Sequence, residues 1–206
     1  TKLPKLPADQ SDIPRWVIDH VEASRNRLGQ EKLYGMLLHR SQDLLGSKGG
    51  QLIRALDELK KAGVVQKVGI SIYSPDELDM ICDIVHIDMV QAPLNVIDRR
   101  METSGWLDRL KDDGVEVHTR SAFLQGLLLM ERERIPEKFL RWSNLWDAWH
   151  DKLQASGISA LRACLAYPLS LEQVDRVIVG VDNASQLQDI VAVASTVAQA
   201  LDTLFM

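Results

Sequence analysis

The chain has 206 residues, of which 46% are hydrophobic and 26% are charged, and its formal net charge is -5. These values are typical of one globular domain with a sizeable core, so we expect a single domain over residues 1–206. An acidic chain repels nucleic acid and anionic membranes, and its longest nearly apolar run, residues 122–130, is too short to span a bilayer. Because residues 1–4 show no export signal, we predict a cytoplasmic protein without nucleic-acid or membrane partners.

Helix and strand signals alternate along the chain. Ser11 or Asp12, followed by Pro14, starts a first helix that ends at Gly29, and residues 34–39 follow as an apolar strand. The same order recurs at Gly63 and Gly114, which predicts parallel strands joined by crossover helices and an α/β fold. Further helices are predicted from residue 52 to Gly63, over residues 75–84, 103–113 and 143–155, and from residue 187; further strands are predicted over residues 68–71, 89–92, 115–119 and 176–180.

These five strands, with a possible stub at Thr1 and Lys2, are fewer than a (β/α)8 barrel contains. Such a barrel usually takes ~250 residues. We therefore expect an incomplete TIM barrel, covering about strands 3 or 4 to 8, with roughly two βα units missing at the front. An unpaired strand edge beside residues 34–39 would then favour self-association or partner binding.

The segment from Gly69 to Pro75 is the most informative stretch. A glycine-led apolar strand ends there in small polar residues, and a proline that can open a helix follows. A second strand-like run, residues 90–95, comes next. Together with their neighbours, these segments resemble the aldo-keto reductase family in five motifs that occur in order and span nearly the whole chain: residues 27–40, 55–74, 90–95, 121–128 and 177–187.

The resemblance implies an NAD(P)H-dependent oxidoreductase that reduces an aldehyde or ketone, for example a sugar derivative, by hydride transfer. In such enzymes a tyrosine protonates the carbonyl oxygen, helped by a lysine and a histidine that shift its pKa or orient the carbonyl. The resemblance makes His39 the histidine and Lys2 the lysine. The alternatives are a strand-end histidine bonded to the backbone and a solvated terminal lysine.

Neither the family's aspartate nor its tyrosine is assigned to a residue of this chain. Tyr34 lies at the wrong end of its strand, and Tyr73 belongs to a motif in which the family carries a non-catalytic tyrosine. We therefore expect very low turnover from these 206 residues alone.

The resemblance also predicts the residues that bind the cofactor. Ser71 and Gln91 would hydrogen-bond the nicotinamide carboxamide, although Ile72 stands where many relatives have asparagine. Arg120 would stack on the nicotinamide, or else form an ion pair with a neighbouring carboxylate. The pyrophosphate path would be lined by three residues of the next loop: Ser121, Phe123 and Gln125.

The loop from Gly180 to Asp189 corresponds to the part of the family that recognises the adenosine end. Gln186 stands where relatives often have arginine, and Gly180 where some have lysine. Asp189 fits either an acid facing the adenine or a solvated helix position. The resemblance implies NADP as the cofactor. Because a 2'-phosphate needs cationic partners, we expect this loop to bind the phosphate weakly, and NAD stays open as the alternative cofactor.

Arg99 and Arg100 follow a predicted strand and are candidates for binding an anionic carbonyl substrate, with surface salt bridges as the alternative. Residues 130–159 either pack on the barrel or cover the substrate. Cys82 and Cys164 lack metal-binding spacing, so we expect buried reduced thiols and no metal. Two other functions stay open: a cofactor-binding sensor or interaction module without catalysis, and an unrelated phosphate-binding barrel enzyme.

Overall fold

The computed structural model describes residues 1–204, with side chains for residues 1–198. These residues form two compact units, the first made of Thr1–Pro93 and Arg100–His118 and the second of Leu94–Arg99 and the residues from Thr119 on. The described strands hydrogen-bond in chain order. They are β1 (Lys2–Leu3), β2 (Leu33–Leu38), β3 (Val65–Ser71), β4 (Met89–Pro93), β5 (Glu116–Arg120) and β6 (Arg176–Val177).

The helices alternate with these strands. They are α1 (Ile13–Leu28), α2 (Gln42–Leu45), α3 (Gly49–Lys61), α4 (Asp76–Ile81), α5 (Arg100–Thr103), α6 (Trp106–Asp112), α7 (Ser143–Ser156), α8 (Ala160–Leu169) and α9 (Ala184–Leu204). Short 3-10 turns lie at Leu127–Leu129, Arg132–Arg134 and Glu137–Trp142. The predicted α/β class, with parallel strands joined by helices, is confirmed, whereas the prediction of a single domain over residues 1–206 stays a prediction.

The first helix forms for the reasons that the sequence indicates. The Asp12 carboxylate accepts a hydrogen bond from the Arg15 backbone N–H at 3.0 Å, which satisfies one donor at the helix start. Gly29 ends the helix with a φ of 61°, the left-handed conformation that glycine adopts at least cost. Between them, Ile13, Val17 and Val21 are buried on one face.

One glycine of the parallel strands β1 to β4 lies where neighbouring strands approach each other closely. Gly69 pairs with Leu37 on β2 and with Met89 on β4. A Cβ atom on Gly69 would lie 2.1 Å from the Met89 carbonyl oxygen and 2.9 Å from a methyl group of Leu37. Glycine is therefore required here by packing and not by backbone conformation.

The predicted helix over residues 103–113 is wrong in one respect. Gly105 adopts a φ of 78°, and the segment is divided there into α5 and α6. The sequence also did not predict α2, which has four residues, or α8, which contains Pro168. A proline normally argues against a helix interior, but the buried side chains of Cys164 and Leu165 stabilise α8 by packing.

A cluster of charged and polar side chains joins the amino-terminal ends of β2, β3 and β5. The Glu116 carboxylate accepts hydrogen bonds from Tyr34 Oη at 2.5 Å and from Lys67 Nζ at 2.6 Å, and it lies 3.1 Å from His118 Nε2. Burial by itself would raise the pKa of Glu116, but these three partners outweigh it and lower the pKa from 4.5 to about 2. We call these four residues the amino-end cluster.

Candidate functional site

Two of the predicted site residues meet at the carboxyl-terminal ends of the strands in the first unit. Lys2 Nζ donates a hydrogen bond to Ser71 Oγ at 3.0 Å, although the residues are 69 positions apart. Lys2 is half-buried, whereas Ser71 is only 2% exposed. The ammonium group is therefore held beside the hydroxyl at the end of β3, the edge at which parallel barrels place their reactive groups.

Gln91 lies next to Ser71 on the neighbouring strand. The two residues are register partners between β3 and β4, so their side chains point to the same face of the sheet. The Gln91 carbonyl also accepts a hydrogen bond from the Ile72 N–H at 2.9 Å. Both side chains are buried. This arrangement offers a hydroxyl and a carboxamide side by side, a combination that can donate to and accept from one amide ligand.

His39 is at the same edge, directly after the end of β2. The preceding residue, Leu38, pairs with Ile70, which is the residue before Ser71. His39 is exposed. The structure thus places Lys2, His39, Ser71 and Gln91 on or directly after four adjacent strands, near the level of the carboxyl-terminal end of β3.

Sequence analysis missed one polar residue at this edge. Glu77, in the first turn of α4, is 9% exposed and hydrogen-bonds the backbone just beyond Ser71 and the side chain of Ser41, just beyond His39. The only signal in the sequence is the spacing of Ser74 and Glu77, which matches a helix-capping box and carries no hint of the contact with Ser41.

In the second unit, the loop after β5 has an unusual backbone. Ser121, Leu124 and Gln125 have φ values of 63°, 47° and 56°, and the neighbouring Gly126 has a φ of 86°. Non-glycine residues rarely adopt these angles, and such strain persists where surrounding contacts impose it. Here the Asn95 side-chain amide donates to the Ser121 carbonyl at 3.1 Å. Contacts such as this one hold the loop in a backbone conformation that its non-glycine residues rarely adopt.

This loop and the start of α9 enclose a cleft of about 540 Å³. Six of the predicted cofactor-binding residues line it: Ser121, Phe123, Gln125, Gly180, Gln186 and Asp189. The volume is in the range of small-molecule sites. The structure therefore gathers the whole predicted set of the second unit except Arg120, whose guanidinium donates to Ser121 Oγ at 3.2 Å.

The cleft is acidic at its α9 end. Asp182 and Asp189 both line it, and none of its lining residues in the described part of the chain is Lys or Arg. The Gln186 carboxamide oxygen accepts a hydrogen bond from the Asp182 N–H at 2.8 Å, so this oxygen is engaged by the backbone. Nothing in this lining supplies the positive charge that a phosphate monoester needs.

The two predicted substrate arginines are in different units and have different partners. The guanidinium of Arg99 lies 4.5 Å from the centre of the Tyr167 ring, and its Nε donates to the Val96 carbonyl at 3.1 Å. Arg100 donates to the Tyr73 carbonyl at 3.2 Å.

The segment from residue 130 to 159 forms part of a second, apolar cavity of about 470 Å³ in the second unit. Trp146 is buried and donates its indole N–H to the Phe139 carbonyl at 2.9 Å, and Trp149 donates to the Leu128 carbonyl at 3.2 Å. Leu145 is exposed and lines the cavity. Trp146 and Trp149 therefore contact the backbone within the second unit, whereas Leu145 borders open space.

The cysteines are both free. Cys164 is fully buried, which raises the pKa of its thiol to about 12, whereas Cys82 is half-buried. Among the described residues, no group of three or more His, Cys, Asp and Glu side chains is placed to hold a metal ion. Within the same residues, no helix combines the length and the apolar character that crossing a membrane requires.

A parallel α/β sheet with polar residues at the carboxyl-terminal ends of its strands is the arrangement of barrel-type α/β proteins. The Aldo/keto reductase family model matches residues 1–202, and the chain belongs to this family. It is 26% identical over 199 residues to an L-glyceraldehyde 3-phosphate reductase of Escherichia coli O157:H7, covering 85% of this chain and 57% of that protein. It is 27% identical over 126 residues to an NADH-specific methylglyoxal reductase of Escherichia coli K12, covering 60% of this chain and 38% of that protein.

Solved structures support the fold. A glycerol dehydrogenase from Gluconobacter oxydans matches with a TM-score of 0.69 and 20% identity, and the holo form of an aldo-keto reductase from Bacillus halodurans matches with 0.68 and 20%. Each match covers 98% of this chain and 70% of the other. The chain thus has the fold of part of an aldo-keto reductase barrel, and it spans little more than half the length of the first curated relative.

Proposed function

We propose that this chain takes part in the NAD(P)H-dependent reduction of an aldehyde or ketone. The observation that carries the proposal is the contact of Lys2 with Ser71, beside Gln91 and at the edge that carries His39. A bound nicotinamide would supply the hydride. The protein's own groups would hold the cofactor's carboxamide through Ser71 and Gln91 and present a cation near the carbonyl oxygen through Lys2. His39 would orient that oxygen.

The second unit supports cofactor binding in its own right. Its cleft offers hydroxyl, amide and backbone groups from Ser121, Phe123 and Gln125 to a pyrophosphate, and Arg120 adds a cation to this loop. The family resemblance implies NADP, whereas the acidic lining at α9 predicts that the 2'-phosphate contributes little to binding. The cofactor proposal is therefore NADP or NAD, with weak discrimination between them.

Fluorescence titration of the chain with NADPH and NADH tests this proposal directly. We expect both to bind, with dissociation constants within about fivefold of each other, because a single exposed charge contact is worth about 1 kcal/mol at most. Gln186→Arg should shift the preference toward NADPH, whereas Gln188→Arg, which adds the same charge in the same helix, should not. Failure to bind either nucleotide would contradict the proposal.

A carbonyl-reductase assay separates catalysis from binding alone. Very low turnover is expected from these 206 residues alone, so the assay uses an intact enzyme that also carries the family's tyrosine and aspartate. Turnover of methylglyoxal or glyceraldehyde 3-phosphate by that enzyme supports the reductase, whereas binding without turnover favours the alternative, a cofactor-binding sensor or interaction module. We choose these two substrates because they occur in the names of the relatives and because Arg99 and Arg100 are the candidates for binding an anionic substrate. Replacing Arg100 by alanine in an active enzyme should raise KM for the phosphorylated aldehyde more than for the neutral one, and equal effects on both would contradict a role for Arg100.

Association and location remain proposals as well. In the structure, β1 pairs with the carboxyl-terminal half of β2, through Lys2 with Leu37 and Leu3 with Leu38. The predicted bare edge beside β2 is therefore partly covered. We propose that the edge available for self-association is β1 with the amino-terminal half of β2, and that the protein acts in the cytoplasm.

A further inference from the structure

Glu77 makes hydrogen bonds in two directions from one buried carboxylate. Its Oε1 accepts from the backbone N–H groups of Tyr73 and Ser74, at 2.7 and 3.0 Å. Its Oε2 accepts from the hydroxyl of Ser41, 36 positions away. Glu77 is 9% exposed and Ser41 is 0% exposed, so water does not compete strongly for these contacts.

Capping of α4 explains the bonds of Glu77 to the backbone but not its bond to Ser41. The spacing of Ser74 and Glu77 is that of a capping box, in which a glutamate of the first helical turn reaches back to the N–H of the capping residue. The bonds to Ser74 and Tyr73 fit this role for α4. The bond to Ser41 adds nothing to the cap of α4, because Ser41 belongs to the loop after β2.

The Ser41 side chain also does not cap its own helix, α2. It occupies the N-cap position of α2, where a serine usually accepts a hydrogen bond from a backbone N–H of the first turn. No such bond is formed by Ser41. Its hydroxyl donates to Glu77 instead. The contact between Ser41 and Glu77 is thus independent of helix capping at either end.

The contact joins the two loops that carry site residues. Ser41 is two residues beyond His39, and Tyr73 is two residues beyond Ser71. We propose that Glu77 is a positioning residue, whose carboxylate ties the loop after β2 to the loop after β3 and so fixes His39 relative to Ser71. This inference rests on the proposed function only in taking His39 and Ser71 as the groups that face substrate and cofactor.

Charge-assisted hydrogen bonds to a buried carboxylate are stronger than neutral ones, and removing one partner leaves the others unsatisfied. We therefore expect Glu77→Ala to weaken NADPH binding about tenfold and Ser41→Ala about threefold. Glu77→Gln keeps one acceptor oxygen and the same size, so it should restore most of the loss. Two matched controls, Asp79→Asn in the same helix and Ser74→Ala in the same loop, should stay within about twofold of the unchanged protein.

The position of His39 is measured separately, by the ring signals of the five histidines in a ¹H–¹³C NMR spectrum, with His39→Gln identifying the relevant one. Ser41→Ala and Glu77→Ala should both shift or broaden the His39 signal and leave His150 unchanged. This readout needs no cofactor. If NADPH does not bind at all, the proposed function fails while the test of the link between the loops still stands.

A role limited to capping α4 predicts a different outcome. Ser41→Ala would then leave both the His39 signal and the NADPH affinity unchanged, and this result would overturn the inference. Should Glu77→Ala fail to fold, as shown by circular dichroism, Ser41→Ala decides the question alone, because it keeps the carboxylate and its two backbone bonds.

Discussion

The two ends of the strands in the first unit use similar residue types in opposite ways. At the amino-terminal end, Tyr34, Lys67 and His118 all bond one carboxylate, Glu116. At the carboxyl-terminal end, Lys2 contacts the neutral hydroxyl of Ser71, and His39 is exposed. Glu116 compensates the charge of Lys67 within the fold, whereas Lys2 hydrogen-bonds an uncharged group, the hydroxyl of Ser71. In a parallel barrel, the amino-terminal end is expected to serve stability and the carboxyl-terminal end to carry the chemistry.

The middle of β3, between the two ends, should be the least tolerant of change. Gly69→Ala places a methyl group 2.1 Å from the Met89 carbonyl oxygen. We expect a loss of at least about 3 kcal/mol in the free energy of unfolding, measured by urea titration. Gly50→Ala is the control, since its Cβ would lie 3.5 Å from the end of the Arg54 side chain, and it should change stability by less than about 1 kcal/mol.

The amino-end cluster should matter for stability and not for cofactor binding. Glu116→Gln removes the charge that three partners share, and we expect the free energy of unfolding to fall by about 1–3 kcal/mol. Asp147→Asn, in an exposed ion pair with Arg132, should cost less than about 1 kcal/mol. A large loss of NADPH affinity in Glu116→Gln, with normal stability, would break the comparison between the two ends.

Lowering the pH should reveal the contribution of Glu116 to stability without a mutation. Because the pKa of Glu116 is about 2 in the folded protein and 4.5 ordinarily, the folded state binds this proton less tightly than the unfolded state. Its contribution to stability is complete above about pH 4.5 and is lost as the pH falls toward about 2. Urea titrations across this interval should show a steeper loss for the unchanged protein than for Glu116→Gln. Parallel curves would contradict the assigned role.

The smallest effect is expected at the carboxyl-terminal end and only in the presence of ligand. Ser71→Ala removes the hydroxyl that Lys2 contacts, and we expect NADPH binding to weaken by about two- to tenfold with little change in the unfolding free energy. Ser195→Ala removes a hydroxyl that bonds the Val191 carbonyl within α9 and should leave affinity unchanged. A purely structural Ser71 would show the reverse, with stability lost and affinity retained.

Local features of the sequence predicted most of the elements. Asp12 and Gly29 bound α1 as expected, and the apolar runs of β2 to β5 appear within a few residues of their predicted positions. The exceptions have two different causes. Gly105 breaks a helix that its neighbours favour, and α8 forms despite Pro168 because its buried face is packed. Propensity is decided within a few residues, whereas packing is not.

The sequence alone determined the α/β class, the order of the elements and the polar residues that follow each strand, because hydrophobic period and capping residues act over short distances. Only the tertiary structure decided which of them meet. Lys2 reaches Ser71 across 69 positions, Tyr34 reaches Glu116 across 82, and Glu77 reaches Ser41 across 36. Strand register sets these contacts, and register depends on the whole sheet, so no local pattern encodes them.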